Sequence, residues 1–210
     1  MTQIGRRQFF QSAVAGMAML ATPTTASEII FHSGTGDAVG SSPNPLLLSR
    51  AKAALEAHKS RIRNRDLLAI ADFSKPSRDP RFYLVNLQSG QSTNFLVAHG
   101  KGSDPSHSGW VKSFSNTHGS EATSAGSYLV GDTYFGQYGE SRRLLGLEPQ
   151  NDQAEARAIV IHPAWYVNQT LIQEQGKIGR SQGCFAFSQS DIGQILQRVA
   201  PGTLLYADKV

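Results

Sequence analysis

The stretch Leu67-Leu68-Ala69-Ile70-Ala71-Asp72-Phe73 decides the fold class, because the hydrophobic period changes there. Upstream, from Leu46 to Ile62, the residues Leu47, Ala51, Ala54, Leu55, His58 and Ile62 recur at helical spacing among Lys and Arg. That pattern predicts an amphipathic helix packed on the domain. From Leu67 onward short runs of strand composition follow instead: Leu67 to Phe73, Phe82 to Leu87 and Asn94 to His99, with Gln88-Ser89-Gly90-Gln91 as a turn between two of them. Tyr128 to Thr133, Ala158 to His162 and Thr203 to Ala207 read the same way. Two short helices interrupt them. Asn168 can cap one that runs through Gln175 and stops at Gly176. Ser188 with Asp191 resembles a capping box for the other, whose apolar face is Ile192, Ile195, Leu196 and Val199 before Pro201-Gly202 stops it. The expected class is mainly β with a few helices.

The 210 residues suit one domain, and 40% hydrophobic, 17% charged and 20 glycines describe a loop-rich globular chain. Met1 to Arg7 carries two positive charges and no acid, and Phe9 to Ala21 is apolar before Pro23 and small residues. This is the order of an export signal, and Arg6-Arg7 ahead of Gln8-Phe9-Phe10 resembles the twin-arginine type. Removing both arginines takes the formal +4 to about +2, too little to argue for nucleic acid. No apolar run reaches the roughly 20 residues of a membrane span. The expected organisation is an export signal over 1–26, a flexible lead-in and amphipathic helix over 27–64, and a catalytic domain over 65–210.

Cys184 is the one cysteine, which excludes an intrachain disulfide. A lone thiol is commonly an inert buried group, but its neighbours here argue otherwise. Gly179 to Phe187 reads as a tight loop just ahead of a helix N-terminus, and Gly183 lets the backbone bend so that the Gly183 and Cys184 amides can face a developing oxyanion. An apolar strand ends on His162, 22 residues upstream. A thiol nucleophile needs such a partner, or a helix N-terminus, to favour its charged form.

Four segments together, Val97-Ala98-His99-Gly100-Lys101-Gly102-Ser103, Gly126-Ser127-Tyr128, Ile159-Val160-Ile161-His162 and Gly179-Arg180-Ser181-Gln182-Gly183-Cys184, resemble the murein L,D-transpeptidase catalytic-domain family. The resemblance also takes in Asp72 to Ser77, Gly146-Leu147-Glu148, Asn151 and Arg157, and so covers the chain from about Leu46 onward. It implies a mixed-sheet sandwich or barrel in which Cys184 is the nucleophile and His162 the base. Ser181 matches the position that helps hold the histidine, and Gly183 the residue that shapes the oxyanion site. Three departures stand out: Gln182 where the superfamily often has histidine, Pro163 where glycine is common, and a longer gap between His162 and Cys184.

The same resemblance brings in His99 as a residue lining the site, and Arg180 could pair with a stem-peptide carboxylate. With Gln182 these are the candidate substrate contacts. His107 and His118 lie with His99 in or beside Gly100 to Ala125, where 14 of 26 residues are Gly, Ser, Thr or Asn. Their spacing matches no metal-ligand motif, so no metal or other cofactor is expected. A polar segment this long is expected to be a binding loop that folds over the cleft. The implied partner is the peptidoglycan stem peptide, met outside the cytoplasm. The rival readings are an L,D-carboxypeptidase, a wall-binding protein with a retired site, and an unrelated cysteine protease.

Overall fold

The computed structural model describes residues 41–210; the export signal expected over 1–26 lies outside them. Helix α1 (Pro45–Ala57) starts where the Asn44 side chain accepts the Leu46 N–H at 2.9 Å and Pro45 takes a position that needs no donor. Its buried face is Leu47, Ala51, Ala54 and Leu55. Eight strands follow: β1 (Asn64–Asp72), β2 (Phe82–Asn86), β3 (Ser92–Phe95), β4 (Gly126–Gly136), β5 (Gly139–Gly146), β6 (Val160–Pro163), β7 (Phe185–Phe187) and β8 (Thr203–Asp208). Helix α2 (Gln169–Gln175) lies between β6 and β7, and α3 (Ile192–Arg198) between β7 and β8.

The strands form one mixed sheet in the order β3-β2-β1-β8-β4-β5-β6-β7, with β1 parallel to β8 and β6 parallel to β7. The chain beyond β3 then bridges back to the far edge, Ala98 to Ala186 and Gly100 to Ser181, so the sheet closes on itself. These bridges cover part of the β7 edge, which would otherwise expose unpaired amides.

Residues Leu67 to Ala71 form an unbroken apolar run because β1 is covered on both faces. Leu68 and Ile70 pack with α1, Tyr83, Val85 and Leu204, while Ala69 and Ala71 face Leu84, Tyr128, Phe185, Phe187 and the α3 residues Ile195 and Leu196. Strand β8 splits likewise, with Leu204 in the first cluster and Leu205 and Ala207 in the second. Both short helices form where expected. Asn168 Oδ1 accepts the Leu171 N–H at 2.8 Å, Gly176 closes α2 at φ 72°, and Ser188 Oγ accepts the Asp191 N–H at 3.0 Å one residue ahead of α3.

Two strands differ from the sequence reading. Strand β5 pairs with β4 in a hairpin closed by Gly136 and Gly139. Its sequence, Gly-Glu-Ser-Arg-Arg-Leu-Leu-Gly, has no alternating apolar signal. The three residues of β7 are too few to show a period, so the chain after Cys184 read as loop leading into helix.

Candidate active site

The β6–β7 pairing builds the site. His162 on β6 sits in register with Ala186 on β7, and Cys184 lies two residues before Ala186. With a side-chain period of two, the imidazole and the thiol project from the same face of the sheet. Both line one cavity of about 550 Å³, together with Tyr134, Tyr138, Arg157, Ala158, Tyr166, Arg180, Ser181 and Gln182. No carboxylate is among its lining residues.

His162 is buried, and its Nδ1 lies 2.8 Å from the Pro163 carbonyl. A carbonyl can only accept, so Nδ1 carries the proton and Nε2 keeps its lone pair. Burial lowers the His162 pKa, and the bond to Pro163 counters only part of that. Pro163 lacks the N–H of the more common glycine, but its carbonyl is the group used here.

Cys184 is half-buried, and its thiol donates to the Ala158 carbonyl at 3.4 Å. Ala158 holds that carbonyl with φ at 52°, an unusual conformation for a residue with a side chain. Burial raises the thiol pKa; the Val160 and Cys184 amides and the Arg157 guanidinium pull it back. The expectation that the loop favours a resting thiolate is therefore corrected. A dry setting penalises both charged forms, so the pair rests as thiol and imidazole. The helix does not supply the missing stabilisation either, because β7 intervenes and α3 begins only at Ile192.

The loop before the thiol is tied into the fold from several sides. Ser181 N–H donates to the His99 carbonyl at 2.9 Å, and the Ser181 carbonyl accepts from Lys101 N–H at 2.8 Å. The Ser181 hydroxyl donates to the Cys184 carbonyl at 2.7 Å and accepts the Gly183 N–H at 3.2 Å. Its partners thus belong to its own loop and not to the imidazole. The Gly183 amide is committed there too, which corrects the reading of two free amides. Gly183 adopts φ 120°, and a Cβ on it would meet the Ala122 carbonyl oxygen at 2.9 Å. No other residue type fits that backbone without cost.

His99 is fully buried and is not among the residues lining the Cys184 cavity. Its Nδ1 accepts from Arg81 at 2.7 Å, and its Nε2 faces Asp104 Oδ2 at 3.6 Å. Burial and then the Arg81 charge lower its pKa to about 3. Arg81, itself buried, is lowered to about 9 by desolvation and donates to the Val97 and Lys75 carbonyls. Asp104 caps the turn behind it through Ser108 N–H at 2.9 Å and Gly109 N–H at 2.8 Å. His99 therefore reaches the site only through its backbone. Arg180 lines the cavity and donates to the Asp104 and Pro105 carbonyls, with no ion pair among the described residues. Gln182 is exposed at the cavity rim.

The segment Gly100 to Ala125 does not cover the cavity. It packs beside the site, with Ser103, Asp104, Val111, Thr123 and Ser124 buried. Arg157 pins it by donating to the Ser115 carbonyl and Ser124 Oγ at 2.7 Å each, to Ser120 Oγ at 3.2 Å, and to the Ala122 carbonyl. The element over the cavity is the tip of the β4–β5 hairpin. Its Tyr138 ring stacks on His162, centroids 4.3 Å apart and planes 22° apart. Neither Tyr138 nor Tyr166 was singled out by the sequence, because an aromatic in a loop carries no spacing signal. Among the described residues no helix is long and apolar enough to cross a membrane.

One sheet that closes on itself and brings a single thiol and an uncharged imidazole to the wall of one cavity defines a β domain with a cysteine–histidine site. The profile of the L,D-transpeptidase catalytic domain matches residues 42–207, and the chain belongs to that family. No curated protein matches the chain. Solved structures similar to it include an L,D-transpeptidase from Mycobacterium smegmatis, 12% identical, covering 68% of this chain and 58% of that one, TM-score 0.41. An L,D-transpeptidase from Mycobacterium tuberculosis is 17% identical over 68% of this chain and 57% of that one, TM-score 0.39. The helical cell shape determining protein of Campylobacter jejuni is 13% identical over 70% and 48%, TM-score 0.45. The chain spans less than two thirds of the length of these three proteins.

Proposed function

We propose that this protein is an exported peptidoglycan L,D-transpeptidase that works through a thioester on Cys184. The carrying observation is the placement of thiol and imidazole on one cavity wall, with Nε2 of His162 unprotonated. The Cys184 thiol gives its proton to Nε2 as sulfur attacks the carbonyl of the third residue of a tetrapeptide stem. The tetrahedral oxyanion faces the Cys184 amide. Its collapse breaks the peptide bond, and the imidazolium returns the proton to the departing D-alanine amine. An amine of a second stem then attacks the thioester, His162 takes the proton released by that amine, and the thiol is restored.

Two features favour an anionic peptide as donor. The cavity wall holds Arg157 and Arg180 with no carboxylate, and Arg180 donates to carbonyls, so its charge is available for a stem carboxylate. Tyr134, Tyr138 and Tyr166 supply apolar area around it. Such a substrate lies outside the cytoplasm, which agrees with the paired arginines near the N-terminus. Water in place of the amine would give a carboxypeptidase from the same thioester.

Incubation with a tetrapeptide stem and an amine acceptor, read by chromatography, tests the reading. Joined dimers are expected from the intact protein and none from Cys184→Ala, whose fold is retained. Tripeptide as the dominant product at every acceptor concentration would replace transfer by hydrolysis. Full activity in Cys184→Ala would remove the thioester altogether.

A further inference from the structure

We infer that Tyr138, at the tip of the β4–β5 hairpin, is a positioning residue for His162: its ring caps the imidazole, fixes the ring plane and shields it from water. The inference rests on the reading of His162 as the base. The hairpin reaches that ring because of how its arms are paired. Strand β5 meets β6 only at Arg142 with Ile161 and Arg143 with Val160, and β4 meets β8 no further along than Leu129. Beyond those pairs, apart from the Val130 carbonyl that accepts the Gly202 N–H at 2.8 Å, the arms pair with each other up to the closing pair of Gly136 and Gly139. The last β5–β6 pair lies one residue short of His162, so the free tip, Gln137 and Tyr138, carries on past the imidazole. There Tyr138 folds back onto it at 4.3 Å and 22°.

The stack is the only ring contact His162 makes among the described residues, and its one hydrogen bond, to Pro163, lies at Nδ1. A single bond at one edge leaves the ring free to swing about it. A second contact, on the ring face, removes that freedom without occupying Nε2. Tyr138 is itself half in solvent, 47% exposed. A tyrosine that served the core would not be left so open, and no hydrogen bond of its hydroxyl holds it there among the described residues. Arg143, stacked over Tyr134 at 4.6 Å, stiffens the arm behind the tip. The remaining titratable groups around the cavity are Cys184 just before β7, Tyr134 on β4, Tyr166 after β6, and Arg157 and Arg180 from the flanking loops.

The test compares Tyr138→Phe, which keeps the ring, with Tyr138→Ala, which removes it from an exposed site. Carbon-labelled histidine is titrated by NMR, the His162 signal being assigned by its loss in His162→Ala, and Cys184 is alkylated with iodoacetamide across pH. Intact protein and Tyr138→Phe are expected to titrate alike. In Tyr138→Ala the now hydrated imidazole should titrate nearer the free value of about 6.5, at which about one quarter is neutral at pH 6. Alkylation at pH 6 should then fall, by up to about fourfold. An unchanged His162 titration in Tyr138→Ala, or a Tyr138→Phe curve displaced as far as that of Tyr138→Ala, overturns the inference. Failure of the base assignment shows separately, as an alkylation profile that His162→Ala does not alter.

Discussion

Replacing Gly183 by alanine tests the loop that carries the thiol. At φ 120° an L residue is strained, and the added Cβ would lie 2.9 Å from the Ala122 carbonyl oxygen, which is backbone and cannot swing aside. Holding a residue in such a conformation costs about 1–3 kcal/mol. Alanine also restricts the unfolded chain, which offsets about 0.4–1 kcal/mol, and the contact with Ala122 restores a cost of similar size. The net destabilisation is about 1–3 kcal/mol, or about 3–9 °C in Tm for a domain of this size. If the loop relaxes to avoid the clash, it moves residue 184, so the alkylation rate of Cys184 should change as well. The control is Gly193→Ala in α3, where φ is ordinary and a Cβ meets nothing within 4 Å; alanine there should raise stability by about 0.5 kcal/mol. Calorimetry on both variants, with thiol alkylation at pH 7, decides it. A Gly183→Ala protein with unchanged Tm and alkylation rate would refute the argument that this backbone is reserved for glycine.

Stability should fall in mild acid, because His99 stays neutral in the fold down to about pH 3 while the unfolded chain takes up a proton at about 6.5. The unfolded state then binds more protons throughout that window, so stability rises with pH across it. Between pH 7 and pH 4.5 this amounts to about 2.5 kcal/mol. Urea titrations should show the loss, and His99→Gln should flatten it; an equal slope in both proteins would refute the assignment. Arg157→Lys should cost about 2–3 kcal/mol, because one ammonium cannot satisfy the Ser115 and Ala122 carbonyls together with two hydroxyls. Limited proteolysis should then cut within residues 113–122, and a cleavage rate equal to that of the intact protein would show that the segment holds without the guanidinium.

Much of the fold could be read from local pattern. Leu67 to Ala71 announces a buried strand by being apolar throughout, and Asn168, Gly176 and Ser188 mark helix ends through bonds made within a few residues. The thiol and imidazole were visible for a similar reason, since a lone cysteine after glycine and a histidine ending an apolar run are chemical signals in themselves. What stayed hidden depends on contacts distant in sequence. His99 looked like a site residue until Arg81 and Asp104 were seen to enclose it, and the polar segment looked like a lid until Arg157 was seen to fasten it. The charge state of the thiol was equally invisible, because desolvation is a property of the assembled cavity and not of the six residues around Cys184.

The position of β8 has a consequence for how the molecule is made. It is the eighth strand in sequence, yet it lies between β1 and β4, so its two ladders join the β3-β2-β1 half to the β4-β5-β6-β7 half. Until Thr203–Asp208 has left the ribosome, the two halves share no ladder and each presents a bare strand where the seam will form. Productive folding therefore waits on the emergence of β8, through pairings as remote in sequence as Ala71 with Ala207. Separations of that order favour slow folding. The cysteine–histidine cavity is built wholly on one side of the seam, and it acquires a finished wall behind it only when β8 zips in.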